Sequence, residues 1–225
     1  MAPLTLALFD CDGTMLDGQH TVLAAMCDAW AEHGLDRPDD DLVRGMIGLT
    51  LHDGIGRILP DGAEVDPHRV ADSYKRAYRH HREQHGAVDP AYPGIAECLD
   101  RLEAEGVLLG VATGKSLRGL HSALDAHGWN NRFVTLQTPD HGPGKPHPDM
   151  VHRALGEAGV EPVHAIMIGD TSFDMEMAVA AGVGAIGVSW GYHATGSLHR
   201  AGAEAIVDDA ETLTDLLLER LGPSK

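Results

Sequence analysis

Continuous apolar runs alternate with amphipathic segments along most of the chain. The first run is close to the N-terminus, and four more follow after residue 100. Between the later runs, apolar residues recur three and four positions apart, which is typical of helices that bury one face. The pattern therefore predicts short buried strands separated by helices. The predicted strands are LTLALFD, VLLGVAT, FVTLQ, VHAIMIGD and GAIGVSW.

The predicted strands are apolar throughout, which indicates that both of their faces are buried. A helix between consecutive strands fits parallel pairing, with helices covering both sides of the sheet. The sequence therefore predicts an α/β core built on a parallel sheet. The predicted core helices are IAECLDRLEAEG, SLRGLHSALDAHG, PDMVHRALGEAG and SFDMEMAVAAG.

The segment of residues 18–86 differs from the rest because it contains only helical patterns. TVLAAMCDAWAEHG ends in glycine, a residue type that suits a helix C-terminus. DPHRVADSYKRAYRHHREQHG opens with Asp-Pro, which suits a helix start, and TLHDGIGRIL is a further helical pattern. We therefore predict two units: an α/β core of residues 1–17 and 87–225, and an all-helical insert of residues 18–86.

The composition of the 225-residue chain restricts what it can bind. Its 34 acidic and 17 basic residues give a formal net charge of -17 at pH 7, which would repel nucleic acid and anionic membrane surfaces. An anionic substrate would need a local source of positive charge, such as a metal ion or a few placed lysines and arginines. The three cysteines fit free thiols, and no leader or membrane-spanning run is recognisable. We expect a cytoplasmic protein, with a monomer as the working hypothesis.

Carboxylates occur where the predicted strands end, the edge at which parallel α/β sheets bind their ligands. Asp10 and Asp12 follow the first strand, Asp170 and Asp174 follow AIMIG, and the loop DHGPGKPHPD adds Lys145. Asp10 and Asp12 are two residues apart, so an extended backbone turns both to one side. At ~4 Å and an effective dielectric of ~20, two carboxylates repel by about 4 kcal/mol, a cost that a divalent cation removes. Oxygen ligands favour Mg2+.

The segment GVATGKSL contains Gly-Lys-Ser at the end of the second predicted strand. A nucleotide-binding P-loop would need glycine where the chain has Leu109, so the glycine spacing excludes that motif. Thr113 and Gly114 instead offer a hydroxyl and an amide in front of a helix N-terminus, which favours phosphate. Ser116 is predicted to cap that helix, and Lys115 is interpreted as a solvated neighbour.

The segments DCDGT, VAT, the loop around Lys145 and GDTSFD resemble, in this order and strand context, the four motifs of haloacid dehalogenase superfamily phosphatases. The helical insert is similar to the C1 cap of that superfamily. YPG and DMEMAVAAG resemble its phosphoglycolate phosphatase branch. Gly114 departs from the asparagine that is commoner after the threonine of the second motif. The resemblance implies a Rossmann-like three-layer core, an inserted helical cap and a Mg2+-dependent phosphatase.

The resemblance also implies a role for each motif residue. Asp10 is expected to attack phosphorus and form an aspartyl-phosphate, while Asp12 protonates the leaving group and then activates water. Mg2+ is expected on the Asp10 carboxylate, the Asp12 backbone carbonyl and Asp170. Asp174 is expected to orient metal-bound waters or Lys145. Three residues are expected to bind the phosphoryl group: Thr113, Gly114 and Lys145.

Several other activities share parts of this pattern. A dehalogenase of the same superfamily needs neither the second aspartate nor a metal, so Asp12 and Asp170 disfavour it. A phosphomutase shares every core residue and remains an alternative, as does a pyrophosphatase. A non-enzymatic phospho-receiver carries its acceptor after the third strand, whereas Asp10 follows the first.

The cap is expected to close over the site and select the leaving group, which favours a small phosphorylated metabolite. Arg44 is predicted in a loop between cap helices, within RGMIGLTLHDG. Its guanidinium would there bind a carboxylate or another second anionic group of the substrate, the alternative being an exposed surface charge. 2-Phosphoglycolate is the first substrate hypothesis, followed by pyrophosphate and small sugar phosphates.

Overall fold

A parallel six-stranded sheet is the centre of the protein. The computed structural model describes residues 3–85 and 88–223. The strands are β1 (Leu6–Phe9), β2 (Leu108–Ala112), β3 (Phe133–Gln137), β4 (Ala165–Gly169), β5 (Gly184–Val188) and β6 (Ala205–Val207). They are ordered β3-β2-β1-β4-β5-β6, which confirms the predicted Rossmann-like α/β core.

The register of β1 fixes the position of the site. Phe9, at the end of β1, pairs with Val111 of β2 on one side and with Ile168 of β4 on the other. Since all three strands run in the same direction, the residues that follow them emerge together at one edge of the sheet. This edge is where the sequence predicts the phosphate chemistry.

Ten α-helices accompany the sheet in the described part of the chain. Four lie between β1 and β2: α1 (Gln19–Glu32), α2 (Asp40–Met46), α3 (Leu51–Ile58) and α4 (Pro67–His85). A fifth, α5 (Ile95–Ala104), leads into β2. The remainder are α6 (Leu117–His127), α7 (Asp149–Ala158), α8 (Ser172–Ala181), α9 (Thr195–Arg200) and α10 (Ala210–Leu221). None of these helices is both long and apolar enough to cross a membrane.

Two hydrophobic clusters lie on opposite faces of the sheet. Alternate residues of β1 point to opposite faces, so Phe9 belongs to one cluster and Leu8 to the other. Helices α5, α6 and α10 cover the Phe9 face, and α7, α8 and α9 cover the Leu8 face. Burial on both faces explains why the strands are apolar throughout.

The helices α1–α4 pack around a third hydrophobic cluster. It includes Met26, Trp30, Val43, Ile55 and Val70. Because these helices have a core of their own, we propose the division predicted from sequence, with residues 18–86 as a cap on the α/β core. The predicted boundary at residues 86 and 87 lies outside the described residues.

Helix α2 corrects the prediction for Arg44. The Asp39 side chain caps α2 by accepting hydrogen bonds from the Asp41 and Leu42 amides. The helix then continues through Gly45, so Arg44 lies in its last turn and the predicted loop was wrong. A single internal glycine costs about 1 kcal/mol, which a good N-cap and an acidic first turn offset.

Candidate active site

Asp10 lies directly after β1 and is 1% exposed. Its Oδ1 atom accepts a hydrogen bond from the Cys11 amide at 2.6 Å. Its Oδ2 atom is buried and has no hydrogen-bond partner among the described residues. A buried carboxylate oxygen without a partner is costly unless a ligand satisfies it. Oδ2 is therefore the atom of Asp10 that is available to a metal ion or to phosphorus.

Lys145 connects Asp10 with Asp174. Its fully buried Nζ atom lies 2.6 Å from Asp10 Oδ1 and 2.6 Å from Asp174 Oδ1. Asp174 is fixed by the first turn of α8, because its Oδ2 atom accepts hydrogen bonds from the Thr171 amide (3.0 Å) and hydroxyl (2.7 Å). The capping box at the start of α8 thus sets the position of Lys145 beside Asp10.

Asp170 follows β4 and is also fully buried. Its Oδ1 atom accepts a hydrogen bond from the Thr14 hydroxyl (3.0 Å), and its Oδ2 atom accepts one from the Tyr192 amide (2.8 Å). Gly13 and Gly191 permit this close packing, since a Cβ atom on either would lie within 2.3 Å of the Asp170 side chain. Gly13 also has a φ of +87°, which favours glycine.

Three buried carboxylates meet here, and the Lys145 ammonium contacts two of them, Asp10 and Asp174. One oxygen each of Asp10, Asp170 and Asp174 lies within 4.8 Å of the others. Burial raises the pKa of Asp10 to about 7, with Lys145 opposing and Asp174 adding to the shift. Burial, and then the charges of Asp10 and Asp174, raise the pKa of Asp170 well above its usual value. A divalent cation would remove this repulsion, so the cluster fits a metal.

The donor set of this cluster also indicates which oxygens a metal would use. Both oxygens of Asp174 are already engaged by Lys145 and Thr171. Asp10 retains an unpartnered Oδ2 atom, and Asp170 lies beside it in the cluster. Each Asp170 oxygen accepts one hydrogen bond from a neutral donor and keeps a second lone pair, whereas Asp174 faces the positive charge of Lys145. Asp10 and Asp170 are therefore the better carboxylate ligands.

Thr113 and Gly114 form the turn after β2. The Thr113 amide donates to the Gln137 carbonyl at 3.0 Å, and the Thr113 hydroxyl accepts from the Lys115 amide at 3.3 Å. The Ser116 hydroxyl accepts a hydrogen bond from the Gly119 amide at 3.3 Å, which confirms Ser116 as the predicted N-cap of α6. The turn and the helix start thus lie at the same sheet edge as Asp10.

Gly114 is in close contact with the cap. A Cβ atom on this residue would lie 2.6 Å from the Leu49 carbonyl oxygen and 2.7 Å from that of Gly48. Both carbonyls belong to the loop between α2 and α3. Any side chain at position 114, including the commoner asparagine, would displace that loop. The Thr-Gly sequence therefore lets the cap backbone rest directly on the turn.

Lys115 is not the solvated neighbour that the sequence suggested. Its Nζ atom lies 2.9 Å from Asp12 Oδ2, and its side chain is only 11% exposed. That interpretation was wrong because the residues that bury Lys115 come from the distant cap helix α4, where the Tyr78 ring centroid lies 5.9 Å from Nζ. The one local signal was its position next to the predicted phosphate-binding turn, in a chain with only four lysines.

A cavity of about 820 Å³ lies between the cap and the core and contains Asp10, Asp12, Thr113 and Gly114 on its wall. Arg44 is not among the described residues that line it. The Arg44 guanidinium contacts Asp41 Oδ1 at 2.7 Å and Gln19 Oε1 at 2.9 Å. The lining includes four cationic residues that sequence reasoning missed: Lys75, Arg79, Arg82 and Arg118.

Comparison with known proteins gives concordant matches. The family model for haloacid dehalogenase-like hydrolases matches residues 7–188. "Probable phosphatase IndB" of Dickeya dadantii is 34% identical over 206 residues, covering 90% of this chain and 89% of that protein. The N-acetylmuramic acid 6-phosphate phosphatase of Pseudomonas aeruginosa is 32% identical over 220 residues, covering 95% of both. A solved structure of a predicted phosphoglycolate phosphatase from Haemophilus somnus shares the fold, with a TM-score of 0.80 at 22% identity, over 96% of this chain and 99% of that one.

Proposed function

From the premise that this chain belongs to the haloacid dehalogenase-like hydrolase family and is a phosphatase, we propose that it hydrolyses a small phosphate monoester through an aspartyl-phosphate on Asp10. The observation that carries the proposal is the unpartnered, buried Oδ2 atom of Asp10, a residue that lines the cavity between cap and core. Its Oδ1 atom is meanwhile held by Lys145 and the Cys11 amide. One oxygen is fixed and the other is available for attack.

The neighbouring residues supply the other roles in this proposal. Asp12 lines the same cavity and donates its proton to the leaving oxygen, then accepts one from the water that hydrolyses the acyl phosphate. The Thr113 hydroxyl, the Gly114 amide and the Lys145 ammonium bind the phosphoryl oxygens. Asp174 holds Lys145 at 2.6 Å and so keeps its charge beside the nucleophile.

Mg2+ is the metal that suits these donors, which are hard carboxylate and carbonyl oxygens. The Asp10 and Asp170 carboxylates and the Asp12 backbone carbonyl would hold it. When bound, Mg2+ would neutralise charge on the phosphoryl group and act as a Lewis acid. The excess negative charge of the three buried carboxylates supports this assignment.

Removal of divalent metal is expected to lower phosphate release from a chromogenic monoester by at least ~100-fold, because several kcal/mol of charge stabilisation would be lost. Added Mg2+ should restore the rate and raise the melting temperature, since it binds only the folded protein. Asp170→Asn should remove both responses. Undiminished turnover after complete chelation would refute the metal requirement.

The proposed substrate carries a second anionic group on its leaving part, with 2-phosphoglycolate as the first candidate. Arg79 of α4 and Arg118 of α6 line the cavity from the cap and from the core, and neither pairs with a carboxylate of the described residues. Lys75 and Arg82 are instead neutralised by nearby aspartates. Unneutralised arginines at one cavity of a chain with a net charge of -17 support an anionic ligand. Arg79 and Arg118 thereby take the role predicted for Arg44.

A substrate panel tests this assignment. Arg79→Ala and Arg118→Ala are each expected to lower kcat/KM about tenfold on 2-phosphoglycolate, N-acetylmuramic acid 6-phosphate or pyrophosphate, because a charge-assisted hydrogen bond is lost. They should change kcat/KM on glucose 6-phosphate, which has no second anion, by less than about twofold. Arg44→Ala is the matched control, with no selective effect. Equal losses on all compounds would exclude a selective contact with a second anion.

A further inference from the structure

Among the described residues that line the cavity, Lys115 is the cation that contacts Asp12, a proposed catalytic carboxylate. Lys145, whose ammonium is also buried, contacts Asp10 and Asp174 instead. Lys115 Nζ lies 2.9 Å from Asp12 Oδ2. A lysine is protonated near neutral pH, so Lys115 places a cation directly beside Asp12.

Lys115 contacts one of the two carboxylate oxygens of Asp12. Asp12 Oδ1 is buried and lies against Gly18, where a Cβ atom would be 3.1 Å from it. Oδ2 is the atom next to Lys115, and both side chains line the cavity. Lys115 thus holds the Oδ2 edge of Asp12, a residue on the cavity wall.

Cap helix α4 shields this ion pair from solvent. The Lys115 side chain is 11% exposed and that of Asp12 is 15% exposed. The Tyr78 ring lies over Lys115, and Arg82 stacks on Tyr78 at 5.9 Å and pairs with Asp89 at 3.0 Å. Electrostatic interactions are stronger in such a partly dry environment than at an open surface.

We propose that Lys115 is a positioning residue that acts through Asp12 on departure of the leaving group. In the first step Asp10 Oδ2 forms a bond to phosphorus while the bond from phosphorus to the leaving oxygen breaks. The leaving oxygen takes that electron pair and the proton of Asp12, and Lys115 keeps its own protons. The ammonium aims the Asp12 carboxyl group at the leaving oxygen and stabilises the carboxylate that remains once Asp12 has given up its proton. This role rests on the proposed function.

A comparison of leaving groups separates this role from a structural one. Lys115→Met, which keeps a long unbranched side chain, is expected to lower kcat about 100-fold on an alkyl phosphate, whose leaving oxygen must be protonated. It should lower kcat less than about threefold on p-nitrophenyl phosphate, whose leaving group departs as an anion. Asp12→Asn should show the same selectivity, and the double variant should lose no more than Asp12→Asn alone. Lys115→Arg should recover at least about tenfold on the alkyl phosphate.

The controls keep this proposal distinct from the proposed function. Arg101→Met, a surface change on α5, should leave both activities unchanged, and melting temperatures should show that each variant is folded. Where Lys115→Met does not fold, Lys115→Gln replaces it. Equal losses of kcat on alkyl and aryl phosphates, or additive losses in the double variant, would overturn the role of Lys115. The proposed function would still stand if the wild-type protein released phosphate in a chelator-sensitive reaction. Absence of such turnover in the wild type would instead overturn the proposed function.

Discussion

Asp10→Asn is expected to abolish phosphate release, with a loss on the order of 10,000-fold or more, because an amide cannot act as the nucleophile. The substitution is nearly isosteric, and the amide oxygen can still accept the hydrogen bond that the Cys11 amide donates to Oδ1. It also removes one of the three clustered, buried carboxylates, which repel one another. The protein should therefore stay folded, and the loss should appear in kcat.

Mass spectrometry of acid-quenched enzyme measures the covalent step directly. Wild-type protein mixed with substrate should carry one phosphoryl group on Asp10, and Asp10→Asn should carry none. Asp12→Asn is the matched control, since it keeps the nucleophile but loses about 100- to 10,000-fold in turnover through the missing proton transfer. Phosphate on any residue other than Asp10, or turnover that persists in Asp10→Asn, would contradict the assignment.

Lys145→Met is expected to destabilise the protein by about 3–5 kcal/mol, because it leaves the carboxylates of Asp10 and Asp174 buried without their shared counter-charge. Turnover should fall with it, since the ammonium also faces the phosphoryl group in the proposed mechanism. Denaturant unfolding measured in chelator and in excess Mg2+ checks the effect. Mg2+ should offset part of the lost stability, because it replaces part of the positive charge.

Lys75→Met provides the matched control for stability. The exposed side chains of Lys75 and Asp72 pair at 3.3 Å, and an exposed ion pair contributes at most about 1 kcal/mol. Its loss should be correspondingly small and independent of Mg2+. A Lys145→Met protein as stable as the wild type in chelator would show that the buried carboxylates do not depend on this ammonium.

The sequence predicted the core well because the signals for it are local. Strands buried on both faces are apolar throughout, and the helices that cover them carry apolar residues at a period of 3.6, so both types of element are visible in short windows. The five predicted strands match β1–β5 closely. β6, a strand of three residues, and the helices beside it were not predicted, because so short an apolar run has no distinct pattern.

The order of strands and motifs also determined which chemical groups would meet. Asp10, Asp170 and Asp174 follow parallel strands, and parallel strands end at the same edge of a sheet. The order of the strands alone therefore implied that these carboxylates would lie close together, and in the structure they lie within 4.8 Å of one another. Their individual roles and the metal they hold stay predictions, for which the chelation and Asp10→Asn experiments are the tests.

The tertiary structure alone decided how the cap meets the core. Lys115 is buried against Asp12 by residues of α4, and Arg79 of α4 joins Arg118 of α6 at one cavity although the two helices are distant in sequence. Arg44 was expected there from its flanking glycines, yet helix α2 directs it to Asp41 and Gln19. Local sequence carries hydrophobic period and turn preference, but contacts between distant helices depend on how two separate hydrophobic cores dock. The sequence by itself therefore determined the α/β core and its cluster of carboxylates, whereas only the packing of helices α1–α4 on that core decided which cations line the cavity.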